Sequence, residues 1–229
     1  MGSDAPPPRD AASLVIVRAR TGGPEVLLGM RRSTQVFAPG KLVFPGGSVD
    51  PADHALTLDE RLAEHHRTPL LREQVGHSPE AFALAAVRET FEEAGLVFGA
   101  KSAAIPPSTA AGGWHAFFAT GFAPSLAPLS FIARAITPPG RSRRFDARFF
   151  LVSADDIALD NGATDGEFEQ LLWLPMADAG AHGLHSMTQI VLEEAAAFLA
   201  LGDAARRAAP VPFFFEDAAG WRRGELKRD

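Results

Sequence analysis

The sequence contains no cysteine, which excludes disulfides, thiolate metal sites and a cysteine nucleophile. It also lacks any run of about 18 apolar, uncharged residues, the length that a membrane helix requires. The first ten residues, MGSDAPPPRD, are polar and proline-rich and hold no signal core, and the last three, Lys227-Arg228-Asp229, are not a Ser-Lys-Leu peroxisomal address. These absences lead to the expectation of a soluble cytoplasmic protein that engages no membrane. Dense Lys/Arg runs and zinc-finger spacings are missing too, and the formal net charge is -6, so nothing draws the chain toward nucleic acid. There is no G-x-S-x-G, and Gly40-Lys41 is followed by leucine where a phosphate-binding P-loop needs Ser or Thr. His54, His65, His66 and His77 lack the spacing of H-E-x-x-H, and are expected on a solvated helical segment rather than around zinc.

What is present is a chain of 229 residues, 46% hydrophobic, long enough for one substantial core, and we expect one domain carrying an insertion. Residues 13–19 and 25–30, separated by Thr21-Gly22-Gly23-Pro24, predict a β-hairpin. A short strand over 41–44 feeds Pro45-Gly46-Gly47. Residues 48–78 predict a helical segment, with helix around 56–65 and 70–75. Further strands are expected at 96–98, 114–119, 131–136, 144–152 and 167–174, and a terminal helix over 186–201. The run Phe213 to Phe215, bracketed by prolines and Glu216, is expected to pack a C-terminal extension onto the body or onto the partner of a homodimer.

The segment Glu80 to Leu96, E-A-F-A-L-A-A-V-R-E-T-F-E-E-A-G-L, carries the most chemistry. Ser78 as N-cap, Pro79 at the first position, Glu80 in the first turn and Gly95 as C-terminal stop predict a helix over 79–94. At about 100° per residue, Glu89, Glu92 and Glu93 share one side, and Leu84, Val87, Phe91 and Ala94 the other. Carboxylates so spaced repel one another by a few tenths of a kcal/mol per pair and invite a hard cation.

Glu80, Arg88-Glu89, Glu92-Glu93, Gly95 and Leu96 together resemble the Nudix box, G-x5-E-x7-R-E-U-x-E-E-x-G-U with U apolar. Every position from Glu80 onward matches except Thr90, which places a hydroxyl at a U position. Upstream, Phe44-Pro45-Gly46-Gly47 is similar to the F-P-G-G loop that opens the box. Gly47 precedes Arg88 by 41 positions where the usual box has 14, so 27 residues are extra. An insertion at this point is similar to that of the peroxisomal coenzyme A diphosphatases of the superfamily and their bacterial relatives. The pattern L-L-T-x-R-[SA]-x3-R-x3-G-x3-F-P-G-G of that subgroup is matched by Leu27, Leu28, Arg31, Gly40 and Phe44 to Gly47, and not by Gly29, Arg32 or Val36.

The resemblance implies an α/β fold, an α/β/α sandwich around a mixed sheet with a helical insertion between the Gly-Gly loop and the box helix. It implies Mg²⁺ or Mn²⁺ held by Glu92 and Glu93, with Glu89 as further ligand or base, a backbone carbonyl of Gly46 or Gly47 in the shell, and Arg88 orienting the glutamates. The implied reaction is hydrolysis of a pyrophosphate bond in a nucleoside diphosphate linked to another moiety, with coenzyme A or an acyl derivative leading. ADP-ribose, NADH, a nucleotide sugar, or non-catalytic nucleotide binding are the alternatives. Arg31 is expected at a substrate phosphate, or else at an exposed strand end. The segment Asp165 to Trp173 resembles the acid-rich strand that supplies an extra carboxylate, with Glu167 and Glu169 on one strand face. Arg144-Phe145-Asp146 also resembles a family motif, and a salt bridge at a strand edge is its alternative reading.

Overall fold

The apolar run from Ala11 to Val17 alternates no polar face, so as a strand it belongs in a sheet covered on both sides. A computed structural model describes residues 6–72, 78–102, 113–162 and 164–228. In chain order its elements are β1 (Arg9–Arg18), β2 (Glu25–Arg31), β3 (Leu42–Val43), β4 (Gly46–Ser48), α1 (Pro51–Ala55), α2 (Glu64–Leu71), α3 (Pro79–Ala94), β5 (Leu96–Val97) and β6 (Gly99–Lys101). There follow α4 (Gly113–Ala119), β7 (Phe122–Pro124), β8 (Ser130–Ile136), β9 (Phe145–Ser153), β10 (Leu159–Asp160), β11 (Phe168–Pro175), α5 (Ser186–Leu199), α6 (Asp203–Ala208), β12 (Val211–Asp217) and β13 (Gly220–Leu226).

The main sheet is nine-stranded and mixed, in the order β11-β2-β1-β9-β8-β12-β13, with β3 also paired to β2 and β4 to β1. β1 runs parallel to β9 and antiparallel to β2. As its sequence demands, β1 is buried on both faces: Ala12, Leu14 and Ile16 join the core beneath α3, and Val15 and Val17 the core beneath α5. The helix α3 with α1, α2 and α4 around it covers one side and α5 the other, the expected α/β/α sandwich.

Several expectations need correction. The stretch 114–119 is the helix α4, because Trp114, Phe117 and Phe118 fall at helical spacing and all three are buried. In the insertion, helix occupies Pro51–Ala55 and Glu64–Leu71 rather than 56–65, and residues 73–75 lie outside the described residues. Asp50 and Asp53 explain the earlier start. They form a capping box in which Asp50 accepts from Ala52 N at 3.3 Å and Asp53 accepts from Asp50 N at 2.8 Å. The run Phe213 to Phe215, by contrast, packs the C-terminal extension onto the body as expected: it lies in β12, which extends the sheet by pairing parallel to β8.

The expected solvated helix is also buried on one side, at His66. Burial first, then Arg228 and His65, push the His66 imidazole down to about 3, and Arg228 Nη1 lies 2.8 Å from its Nδ1. A base lowered in the folded state leaves the unfolded chain binding more protons once the pH falls below 6.5. Stability is therefore lost on acidification, by about 2 kcal/mol at pH 5 from this residue. Urea denaturation of the wild type and His66→Leu from pH 8 to 5 is expected to show a shallower acid decline in the variant; parallel profiles would reject this source.

Candidate active site

The box helix forms with the predicted ends. Ser78 Oγ accepts from Glu80 N at 3.2 Å, and Gly95 closes the helix in the left-handed region at φ 71°, where its N–H bonds to Phe91 O at 2.9 Å. The helix is more buried than a solvated acidic face would be: Glu93 is 1% exposed, and Arg88 and Thr90 are buried beside it. Thr90, at the position the box gives to an apolar side chain, holds a hydroxyl with no hydrogen-bond partner among the described residues.

The glycine loop lies directly against this helix. Gly46 N donates to Glu93 Oε2 at 2.7 Å. Gly46 has φ +153°, and a Cβ there would strike Ser13 and the Ala12 carbonyl, while a Cβ at Gly47 would occupy the position of the Glu89 carboxylate. Gly46 is required by its backbone angle and its closeness to β1, and Gly47 so that backbone can approach the Glu89 carboxylate. Arg88 fills the space behind: its Nη1 donates to Glu89 Oε1 at 2.9 Å and to Glu92 Oε2 at 3.3 Å, and its Nη2 to Ser48 O at 3.0 Å.

The NUDIX domain model matches residues 7–194. The chain belongs to the Nudix family. A crystal structure of a NUDIX hydrolase from Alicyclobacillus acidocaldarius is 30% identical, with 82% of this chain and 90% of that chain covered and a TM-score of 0.60. An Ap4A hydrolase from C. elegans is 19% identical over 85% of this chain and 100% of its own, with a TM-score of 0.44. The NUDIX domain of Shewanella oneidensis NrtR, complexed with ADP ribose, is 14% identical over 85% and 90%, with a TM-score of 0.47. No curated protein matches. Nudix hydrolases act on a nucleoside diphosphate linked to another moiety with the help of divalent metal ions, and membership makes this chain a pyrophosphohydrolase.

The Nudix helix depends on a residue that the sequence reading passed over. Asp53 of α1 receives Arg88 Nε and Nη2 in a two-pronged ion pair, each bond 2.9 Å, and Trp114 Nε1 donates to the same carboxylate at 2.8 Å. Asp53 and Trp114 are each 1% exposed. The signal for Asp53 was there: Asp-Pro-Ala-Asp directly after the glycine loop is a capping-box pattern that puts Asp53 in a first helical turn. Glu80, by contrast, faces Arg67 at 2.8 Å and Ser78 at 2.8 Å.

The electrostatics follow from burial. Burial pushes the Glu89 carboxyl up to about 7, with Arg88 opposing and Glu92 adding to the rise. It raises Glu92 as well, against Arg88. Glu93 is driven well above the usual carboxylate range by burial, which outweighs the bond from Gly46 N, and Glu167 and Glu89 add to the rise. Arg88 stays charged in spite of its burial because Asp53, Glu89 and Glu92 surround it. Among the described residues no three acidic or histidine side chains converge as a metal cage, since Glu89 and Glu92 turn onto Arg88 and Glu93 onto the glycine loop. The donor set nonetheless fits a hard divalent cation. Three carboxylates within two turns, each pressed toward its neutral form, are relieved by added positive charge, and all offer oxygen.

The downstream acids separate. Glu167 lies just before β11 and pairs with Arg31 at 2.6 Å. Glu169 is exposed and is the extra residue of a register shift between Phe168 and Gln170, so the expected alternation that would put both acids on one face is broken there. Arg31 is buried, and also donates to Phe37 O at 2.8 Å and lies 3.4 Å from Gln35 Oε1. Gly29, where the coenzyme A pattern has threonine, lies against the Phe168 ring, which a Cβ would strike. Asp146 pairs with Arg134 at 2.7 Å on β9, an interior strand rather than an edge. A cavity of about 460 Å³ opens at Gly46, Gly47 and Glu167 and extends toward the turn between β8 and β9.

Proposed function

We propose that this Nudix enzyme cleaves coenzyme A or an acyl-coenzyme A at the pyrophosphate, using Mg²⁺ or Mn²⁺. The observation that carries the reading is the approach of Glu93 to Gly46 and of Glu89 to Gly47, with Glu92 joined to Glu89 through Arg88, where that glycine pair lines a cavity of nucleotide size. The match of Leu27, Leu28, Arg31, Gly40 and Phe44 to Gly47 to the coenzyme A pattern, together with the insertion, supports this substrate over ADP-ribose, NADH or a nucleotide sugar.

Glu92 and Glu93 would hold the cation, with Glu89 and a carbonyl of Gly46 or Gly47 as further donors. The cation, when bound, supplies positive charge to the pyrophosphate oxygens and acidifies water. Arg88 holds Glu89 and Glu92 in place through Nη1. In the alternative role, Glu89 would accept the proton of the attacking water at its carboxylate instead of holding the cation. Arg31 keeps Glu167 at the cavity wall, which makes Glu167 the downstream carboxylate best placed to assist.

Product analysis with coenzyme A, ADP-ribose, NADH and a nucleotide sugar, each with Mg²⁺ and with Mn²⁺, tests the reading. Coenzyme A is expected to give a 3'-phosphorylated nucleoside monophosphate and the phosphorylated pantetheine half. Cleavage of the other three in preference to coenzyme A would overturn the substrate, and tight nucleotide binding without cleavage of any would favour a binding module.

A further inference from the structure

We propose that Arg141 and Arg143 form a subsite for a phosphate monoester that the substrate carries away from the bond being cleaved. The subsite rests on the nucleotide reading of the cavity, since both arginines line that same cavity. Three arginines line the space, and their situations differ. Arg31 is committed to Glu167, Phe37 O and Gln35. Arg141 and Arg143 are exposed and make no hydrogen bond or ion pair with any described residue.

That freedom contrasts with the arginines that the fold pairs. Arg18, Arg67, Arg88, Arg134, Arg148 and Arg223 each meet a carboxylate, in a protein whose net charge is -6. Acidic residues outnumber basic ones, yet the single acid on this cavity wall among the described residues, Glu167, is already paired. Two guanidinium groups two residues apart repel one another unless an anion lies between them, and a phosphate dianion matches their fork geometry.

The turn that carries them is held at its base. Thr137 N donates to Phe145 O at 2.8 Å, Phe145 N to Thr137 Oγ1 at 3.0 Å, and Arg144 Nε to Thr137 O at 3.1 Å. Pro138 and Pro139 restrict the chain that follows, which lowers the entropy lost on ordering the arginines around a ligand. The rings of Phe37, Phe145 and His185 line the same cavity as one aromatic group, with Phe37 5.5 Å from Phe145 and 5.2 Å from His185. An adenine can lie on such a group. With the anhydride at Gly46 and Gly47, a phosphate on a ribose hydroxyl is then the group that reaches Arg141 and Arg143. His185 senses the same positive field: burial first, then Arg141, lower its pKa.

Calorimetric titration with adenosine 3',5'-bisphosphate and with adenosine 5'-monophosphate tests the subsite without requiring turnover. The wild type is expected to bind the bisphosphate about tenfold more tightly or better, and Arg141→Ala/Arg143→Ala to lose most of that ratio. Arg141→Lys/Arg143→Lys should keep part of it, because the charge remains without the fork. Equal binding of the two nucleotides by the wild type, no measurable binding of the bisphosphate, or an unchanged ratio in the alanine variant would each overturn the subsite. If no substrate is hydrolysed but the bisphosphate preference holds and falls in the variant, the hydrolase reading fails and the subsite stands; hydrolysis without the preference gives the reverse.

Discussion

Glu93→Gln is expected to lower kcat/KM by about a thousandfold or more, the scale seen when a charged catalytic group is removed from a preorganised site. The fold should persist. Glu93 is 1% exposed, and among the described residues it accepts from Gly46 N at 2.7 Å, a bond that a glutamine carbonyl can reproduce in the same volume. The loss is therefore one of charge. The carboxylate is held well above its ordinary pKa by burial, with Glu167, Glu89 and Asp165 adding to the rise, so its ionised form opposes folding at neutral pH. In the absence of metal, the variant should be at least as stable as the wild type at pH 8. Steady-state assays with Mg²⁺, beside urea denaturation without it, separate the two effects. A rate within tenfold of wild type, or an unfolded variant, would overturn the assignment of Glu93 to the cation.

Asp53→Ala should destabilise the protein by about 3–5 kcal/mol, because it leaves Arg88 charged, buried and without its two-pronged partner. Two further donors, Asp50 N and Trp114 Nε1, lose the same acceptor. Since a domain is stable by only about 5–15 kcal/mol, this change alone brings it near unfolding. Asp53→Asn is the more informative variant, as it preserves shape and one acceptor oxygen while removing the charge. Arg88 would then be drawn toward Glu89 and Glu92, away from the insertion, and activity should fall by about 10–100-fold, as it does when a group supporting a metal ligand is altered. Urea denaturation and metal-dependence of the rate measure the two consequences. An asparagine variant with wild-type stability and wild-type rate would show that the Asp53–Arg88 pair positions nothing.

The contrast between these two residues explains what was legible. Glu93 announces itself through spacing, because carboxylates three and four residues apart on a capped helix share a side whatever the helix packs against. Asp53 and Arg88 are 35 residues apart, and only packing of α1 against α3 brings them together. The helix α4 was misread as a strand because its aromatics favour strands by propensity, while its helical spacing spans too few residues to decide. The Phe213 to Phe215 run has the composition of a strand, but its partner β8 lies far back in the chain, and no local pattern names it.

The sequence by itself determined the capped helix, the three glutamates on it, the glycine pair before it and hence the family, since these follow from backbone geometry and periodicity within a few turns of chain. Tertiary structure decided which charges are consumed and which remain. Arg31 meets Glu167, Arg88 meets Asp53, and Arg141 and Arg143 are left facing the cavity. The physical reason is that a charge is neutralised by whatever lies within a few ångströms of it, and for side chains on separate elements that distance is set by the packing of the sheet and its helices.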